Sequence, residues 1–407
     1  MLFRSLAGGS LVNNGLLEVG AHGAFPTTTV KGDFVQGAGA TLLIDTGSAG
    51  QADILDVTGT AEISGSVRLQ GPVAKTQPVE VLEANGGVTF LQPQVIPRGL
   101  PIYFKEFVVG HALDIETVGD FTTTASGLNG SERQVAAQLQ GIWDSGSTLG
   151  NGFSEIATLR NRADYMSMLN SLSAQSFGDL AAVRYLNMQS FLDPVDQGCA
   201  RDVRDESCGW IRLADGQTDR GNTSAASGYS AKQHLLQLGG TLELAHDLAL
   251  NGSIGYAWED LNVSGGTAGV SGGSTTAAVG LAYRPGPLEL DADLAVGYAG
   301  YNSERTITVG TGTGEAQAHP ELWNADLRLG AAYDIPLSSR WTLKPFAHLD
   351  LAEVGTSGFD EKGTTDFNLI IDGQSHGALS GRTGLELTAD VTFENGLIVR
   401  PLLSAGV

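Results

Sequence analysis

The chain reads as an all-β protein with a helical linker: parallel β-helix rungs at the N-terminus, then an antiparallel transmembrane β-barrel. Three observations lead there. Between Trp210 and Val407 one unit recurs about nine times, roughly ten residues of apolar/polar alternation and then a loop rich in Gly, Asp and Ser; strands with one face in lipid and one in a polar lumen are written this way. Between Leu11 and Phe90, short aliphatic runs alternate with Gly, Asn and Asp turns, as in a solenoid of stacked rungs. Between these regions the hydrophobic period becomes helical.

The solenoid strands center on Leu16-Leu17, Phe34-Val35, Leu42-Leu43-Ile44, Ile54-Leu55, Ile63, Val67, Leu69 and Val79 to Leu82. A β-sandwich is the alternative for this stretch. In the linker, Ser131 to Leu139 starts with a capping-type Ser and continues as a helix former, and Asn161 to Leu172 behaves similarly. In the third helical stretch, Phe177 to Leu192, the residues Phe177, Leu180, Ala181, Arg184, Tyr185, Met188 and Phe191 recur at helical spacing, and Pro194 is expected to end the run. Such a helix, about 24 Å long at 1.5 Å per residue, spans most of a bilayer-height pore. Periodicity alone equally allows a helix packed outside on the solenoid.

The clearest barrel strand is Leu288 to Tyr298. Its even positions are Leu, Leu, Ala, Leu, Val and Tyr, while Glu289, Asp291 and Asp293 share the other face, which suits a hydrated pore. Trp323 to Tyr333 repeats this, with Ala325, Leu327, Leu329 and Ala331 against Asn324, Asp326, Arg328 and Gly330. Further segments are Leu236–Leu244, Leu248–Trp258, Val279–Tyr283, Trp341–Leu351, Leu379–Leu387 (with Arg382 and Glu386 as further lumen candidates) and Leu397–Ala405. Tyr256, Trp258, Tyr298, Tyr301, Trp323, Tyr333 and Trp341 stand near strand ends, where an interfacial girdle needs aromatics.

Composition narrows the function. The 407 residues carry a formal charge of −22, and no basic stripe exists to neutralise phosphates, which argues against nucleic acid. With 56 glycines and 17% charged residues, the chain suits β-rich secreted architecture. No run of about 18 apolar residues marks a transmembrane helix. The start, Met1 to Ser10, lacks the apolar stretch of a signal peptide, so the natural N-terminus is expected upstream. Cys199 and Cys208 are the two cysteines; an oxidising periplasm permits a small disulfide loop between them, the alternative being a pair of thiols. No His or further Cys stands at metal-ligand spacing, and no cofactor motif occurs. The single Gly-x-Ser-x-Gly pattern, Gly269 to Gly273, falls in a Gly/Thr-rich stretch read as a loop between barrel strands, not at a strand-to-helix turn. His234, His246 and His348 lack an evident nucleophile partner, and Asp202, Asp205 and Glu206 read as solvated edge charges. The expected protein is therefore not an enzyme within these residues.

Three stretches resemble the classical monomeric autotransporters, the type V secretion system of Gram-negative bacteria. They are Lys31 to Leu42 with Ala52 to Ala61 in the solenoid; Gly127 to Ala137 in the linker; and Gly209 to Arg212, Lys344 to Leu349, Phe359 to Gly363 and Gly381 to Leu387 in the barrel. The resemblance implies a twelve-stranded outer-membrane barrel with a helix threaded through it and a passenger that folds outside. It implies four regions: passenger end (1–110), helical linker (111–176), pore helix and junction (177–207) and barrel (208–407). It also implies that Arg184, with Tyr185 and Met188 on the same helix, meets lumenal carboxylates such as Asp291, Asp293 or Asp326. Implied partners are outer-membrane lipid, the barrel assembly machinery and periplasmic chaperones, with the protein monomeric and its passenger on the cell surface. The chain departs from the family in showing about nine strands and no terminal aromatic strand, so it is expected to be a fragment truncated at both ends. Competing expectations are a soluble β-helix adhesin or polysaccharide-binding protein, and a passive porin-like channel, which needs neither solenoid nor helix.

Overall fold

A computed structural model describes residues 5–7, 9–20, 23–47, 50–91, 99–122, 127–197, 207–310, 312–363, 366–389, 391–392, 398–399 and 401–406. The N-terminal rungs stack into three parallel ladders. One joins Ser5–Ala7, Thr27–Lys31, Ile54–Val57 and Val79–Ala84; the second joins Leu11–Asn13, Phe34–Gln36, Ala61–Ile63 and Val88–Phe90; the third joins Leu16–Val19, Thr41–Asp45 and Ser66–Gln70. All pairings between these rungs are parallel and in register, which excludes an antiparallel sandwich. Side chains alternate in and out, so Phe34, Leu42, Ile44, Val57, Ile63 and Val81 fill a shared interior with no measurable exposure. One buried polar ladder interrupts this core: Asn13 Nδ2 donates to Gln36 Oε1 at 3.4 Å, and Gln36 Nε2 to the Ser66 carbonyl at 2.9 Å. The hairpin Ile102–Val109 with Ala112–Gly119 pairs antiparallel onto Val79–Ala84 and closes the stack. Residue 110 is the turn of that hairpin, so the stack continues past the boundary expected there.

Four helices follow: α1 (Gly130–Asp144), α2 (Gly152–Ile156), α3 (Arg162–Ser171) and α4 (Gln175–Gln197). The cap of α1 is Asn129, not Ser131. Asn129 is extended and its side chain accepts the Glu132 N–H at 2.9 Å, while Glu132 Oε2 accepts the Asn129 N–H at 2.8 Å. Ser131 supports this box, its hydroxyl donating to Asn129 Oδ1 at 2.9 Å. Helices α1 to α3 build a second core with barrel residues, in which Trp143, Phe153, Tyr165 and Met168 pack with Ile307, Val309 and Phe367. Trp143 also lies flat over Gly119, where a Cβ would come within 2.2 Å of its ring. Rungs, helices and barrel are thereby joined by packing as well as by the chain.

The C-terminal half is built on one antiparallel sheet whose main path has nine strands, with three short strands beside it: β1 (Cys208–Arg220), β2 (Tyr229–Ala245), β3 (Leu248–Val263), β4 (Ala268–Tyr283), β5 (Leu288–Val309), β6 (Glu321–Tyr333), β7 (Trp341–Thr356), β8 (Gln374–Ala389) and β9 (Leu402–Gly406). Strands β2 to β5 run 16 to 22 residues, well beyond the roughly 10 needed to cross a bilayer. The surplus projects at the β5–β6 and β7–β8 loop ends, where the helical module packs on Ile307, Val309 and Phe367. Along β5 the expected alternation holds: Leu290, Leu294, Val296 and Tyr298 are exposed, while Asp293, Ala295, Ala299 and Arg305 are buried. The girdle aromatics Tyr256, Trp258, Tyr298, Trp323, Tyr333 and Trp341 point outward. Tyr301, expected among them, points inward and is 4% exposed. It stands an odd number of residues from Tyr298, so the pleat puts it on the opposite face.

Candidate functional site

The site is the lumen of this sheet, and α4 fills it. The sheet curls around the helix: side chains of β1, β3, β4, β6, β7 and β8 each contact α4 or the cluster its side chains enter. No helix among the described residues is long and apolar enough to cross a membrane, and α4 is held by hydrogen bonds from its side chains and main chain to the inner face of the sheet. The reading that packs this helix outside on the solenoid is therefore wrong. The helix also continues through Pro194 to Gln197, where the sequence suggested a stop.

Arg184 is the center of the upper lumen and is 2% exposed. Its Nε donates to Asn324 Oδ1 at 3.0 Å, Nη1 to Ser274 Oγ at 2.6 Å and to Glu259 Oε1 at 3.3 Å, and Nη2 to Thr276 Oγ1 at 2.8 Å. Its counter-ion is thus Glu259, not the expected Asp291, Asp293 or Asp326. The reason is height along the axis. Thr276, Gly297 and Asn324 are cross-strand neighbours in one row of the sheet, and the guanidinium lies over Gly297, where a Cβ would meet Nη2 at 2.7 Å. Glu259 is saturated by further donors: Asn187 Nδ2 at 2.6 Å, Tyr301 Oη at 2.5 Å and Gln233 Nε2 at 3.4 Å.

Below this cluster, Gln189 Nε2 donates to Asp326 at 2.6 Å. Arg328, fully buried, binds Asp350 at 2.6 Å, Asp193 of α4 at 3.0 Å and Gln189 Oε1 at 2.6 Å. Arg382 also reaches Asp193, at 3.2 Å. Tyr185 Oη and Ser380 Oγ are 2.8 Å apart, and Met188 packs with Leu192 and Ala295. Asp293 stands over Gly280 beside Val195. Asp291 and Glu386 line a cavity of about 230 Å³ near the end of α4, together with Asp193, Glu289, Lys344 and His348. Each of the six lumen candidates therefore lies on the inner face, three of them in direct contact with α4.

Cys208 opens β1 and is disulfide-bonded; Cys199 lies outside the described residues, as do Asp202, Asp205 and Glu206. Ser271 of the Gly-x-Ser-x-Gly pattern is not in a loop: it is an exposed position within β4, paired with Asp260 and Asn302, because β4 extends beyond the expected strand.

An antiparallel sheet whose outer face carries Leu213, Leu242, Ile254, Val279 and Leu351, and whose inner face is polar and hydrogen-bonded to a threaded helix, is an outer-membrane β-barrel with an occupied lumen. Its apolar outer face disfavours a soluble adhesin, and its helix a passive channel. Residues 209–407 match the family described as autotransporter beta-domain, and this half of the chain belongs to that family. The curated relatives include Esterase EstA of Pseudomonas aeruginosa, 29% identical over 170 residues, which cover 40% of this chain and 26% of that protein. Esterase EstA of Pseudomonas putida matches to the same extent, so the chain spans about a quarter of the length of these relatives. Among solved structures, the translocator domain of autotransporter NalP from Neisseria meningitidis is 15% identical, with 57% of this chain and 85% of that one covered and a TM-score of 0.48. The beta domain of the Bordetella autotransporter BrkA is 22% identical, with 50% and 78% covered and a TM-score of 0.40.

Proposed function

We propose that this chain is an outer-membrane translocator that carries its own N-terminal β-helical passenger to the cell surface. One observation carries the reading: the path of the chain through the lumen. The solenoid and α1 to α3 sit at the end of the barrel with the long loops, where the module packs on Ile307 and Val309. From there α4 runs down the lumen, and its last turns meet Arg212 near the start of β1, at the other end. The described residues before Gln175 therefore lie on the far side of the sheet from the point where β1 begins. Threading through the lumen supplies that connectivity. Folding of the rungs outside buries apolar surface and opposes backsliding. Outer-membrane lipid holds the barrel, and the barrel assembly machinery and periplasmic chaperones are its proposed helpers; Cys199 with Cys208 is the proposed disulfide at the inner junction.

An epitope placed in the exposed rung turn at Asn85-Gly86 tests this, beside a second one in the short turn at Ser338. On intact cells of a Gram-negative host the first should bind antibody and the second only after the outer membrane is opened. Equal accessibility of both, or of neither, overturns the reading.

A further inference from the structure

Pro194 sits inside α4, where it lacks the N–H that the Ser190 carbonyl would accept and where its ring crowds that same carbonyl. A helix interior tolerates such a break only when another donor satisfies the freed group. The barrel provides one. Arg212 of β1 donates from Nη1 to the Ser190 carbonyl at 2.8 Å, with Nη2 3.4 Å from Ser190 Oγ. The neighbouring carbonyls are engaged too. Gln237 of β2, fully buried, donates Nε2 to the Phe191 carbonyl at 2.9 Å, and Arg328 of β6 donates Nη2 to the Gln189 carbonyl at 3.4 Å. Three barrel side chains from three strands thus bind three consecutive main-chain carbonyls of the lumenal helix.

We infer that Pro194 and Arg212 form a register latch that fixes where the threaded chain stops, Arg212 acting as a positioning residue. This rests on the translocator reading above. An intact helix presents no free carbonyl and slides past such donors with little preference for one height. A proline break frees the Ser190 carbonyl at a single point on the axis, so Arg212 engages it only when Ser190 arrives at β1. Gln237 is oriented for this, since its Nε2 also lies 3.1 Å from Ser253 Oγ and its Oε1 accepts from Arg212 at 3.4 Å. The latch reads the main chain, so it needs the break more than any particular side chain on α4.

The test is a substitution cycle on the full chain in bilayer nanodiscs, read as amide hydrogen exchange of α4 by mass spectrometry. Arg212→Met should raise exchange across α4 on the order of tenfold or more, as expected when a charged donor leaves a buried carbonyl unsatisfied. Pro194→Ala restores an N–H for Ser190, so adding Arg212→Met to Pro194→Ala should change exchange by less than about twofold, and Arg212→Gln, which keeps a donor, should recover part of the loss. The Pro194→Ala background also controls for folding. An Arg212→Met effect of the same size in both backgrounds overturns the latch, because Arg212 would then act through some other contact. Failure of the surface epitope experiment with α4 protection intact would instead overturn the translocator reading and leave the clamp on the helix standing.

Discussion

Replacing Glu259 with Met should do more damage than replacing its partner Arg184, although the two form one ion pair. In Glu259→Met the guanidinium stays 2% exposed with Asn324, Ser274 and Thr276 as its remaining, neutral acceptors. Arginine cannot shed its proton, so the uncompensated charge persists, at a cost of about 3–5 kcal/mol. In Arg184→Met the carboxylate keeps donors from Asn187, Tyr301 and Gln233, so the loss is nearer one charged hydrogen bond, about 1.5–3 kcal/mol. The double replacement removes both charges and should cost less than Glu259→Met alone. At about 1.4 kcal/mol per tenfold, the first change shifts the helix-in to helix-out ratio by roughly two to three and a half powers of ten. Thermal unfolding in detergent, with exchange of α4 amides as a local readout, measures all three. Additive single effects, or a Glu259→Met variant milder than Arg184→Met, would refute the assignment of Glu259 as the counter-ion.

Gly297→Val should loosen α4 without disturbing β5 itself, because the new Cβ meets Arg184 Nη2 and Asn324 Oδ1 at 2.7 Å; about 1–3 kcal/mol of helix protection should be lost by exchange. Trp143→Ala removes the indole that lies between Gly119 and Phe153, 5.1 Å from the latter's ring; a loss of about 3–5 kcal/mol should appear as faster proteolysis between solenoid and barrel, the barrel melt being unchanged. Glu80 has its carboxyl pushed above the usual value near 4.5 by burial and by Glu83 and Asp114. Its native form holds the proton to higher pH than its unfolded form, so stability falls as pH rises through that raised value. Glu80→Gln should therefore increase exchange protection of residues 79–84 at neutral pH, and the gain should vanish below pH 4.5.

Much of the architecture was legible because both β regions obey period-two patterns that lipid, lumen and rung interior enforce residue by residue. The face assignments in β5 and β6 follow from that alone. Partnerships across the lumen were not legible, since they depend on the height at which α4 stops. Arg184 stood out by its spacing, but Glu259 lies one residue past the stretch read as strand β3. Extending the alternation from Tyr256 and Trp258 by a single step would have put it on the inner face. Glycines carried a second unused signal: Gly255, Gly280, Gly297 and Gly330 face inward, and each leaves room for a helix or lumen side chain. Tyr301 was misassigned because nearness to a strand end says less than parity along the strand. Pro194 was read as a stop because its missing partner is supplied from β1, a contact remote in sequence.

The stacked contacts along α4 also make the lumen a mechanical anchor. On the proposed translocator reading, a pull on the rungs is transmitted along α4. In that direction the bonds of Arg184, Tyr185, Gln189, Ser190 and Phe191 to the wall are loaded together in shear, not peeled one after another. The module on Ile307 and Val309 spreads the remaining load onto the tip of β5. An attachment built this way lets many noncovalent contacts share a load before it reaches the covalent link from α4 to the barrel.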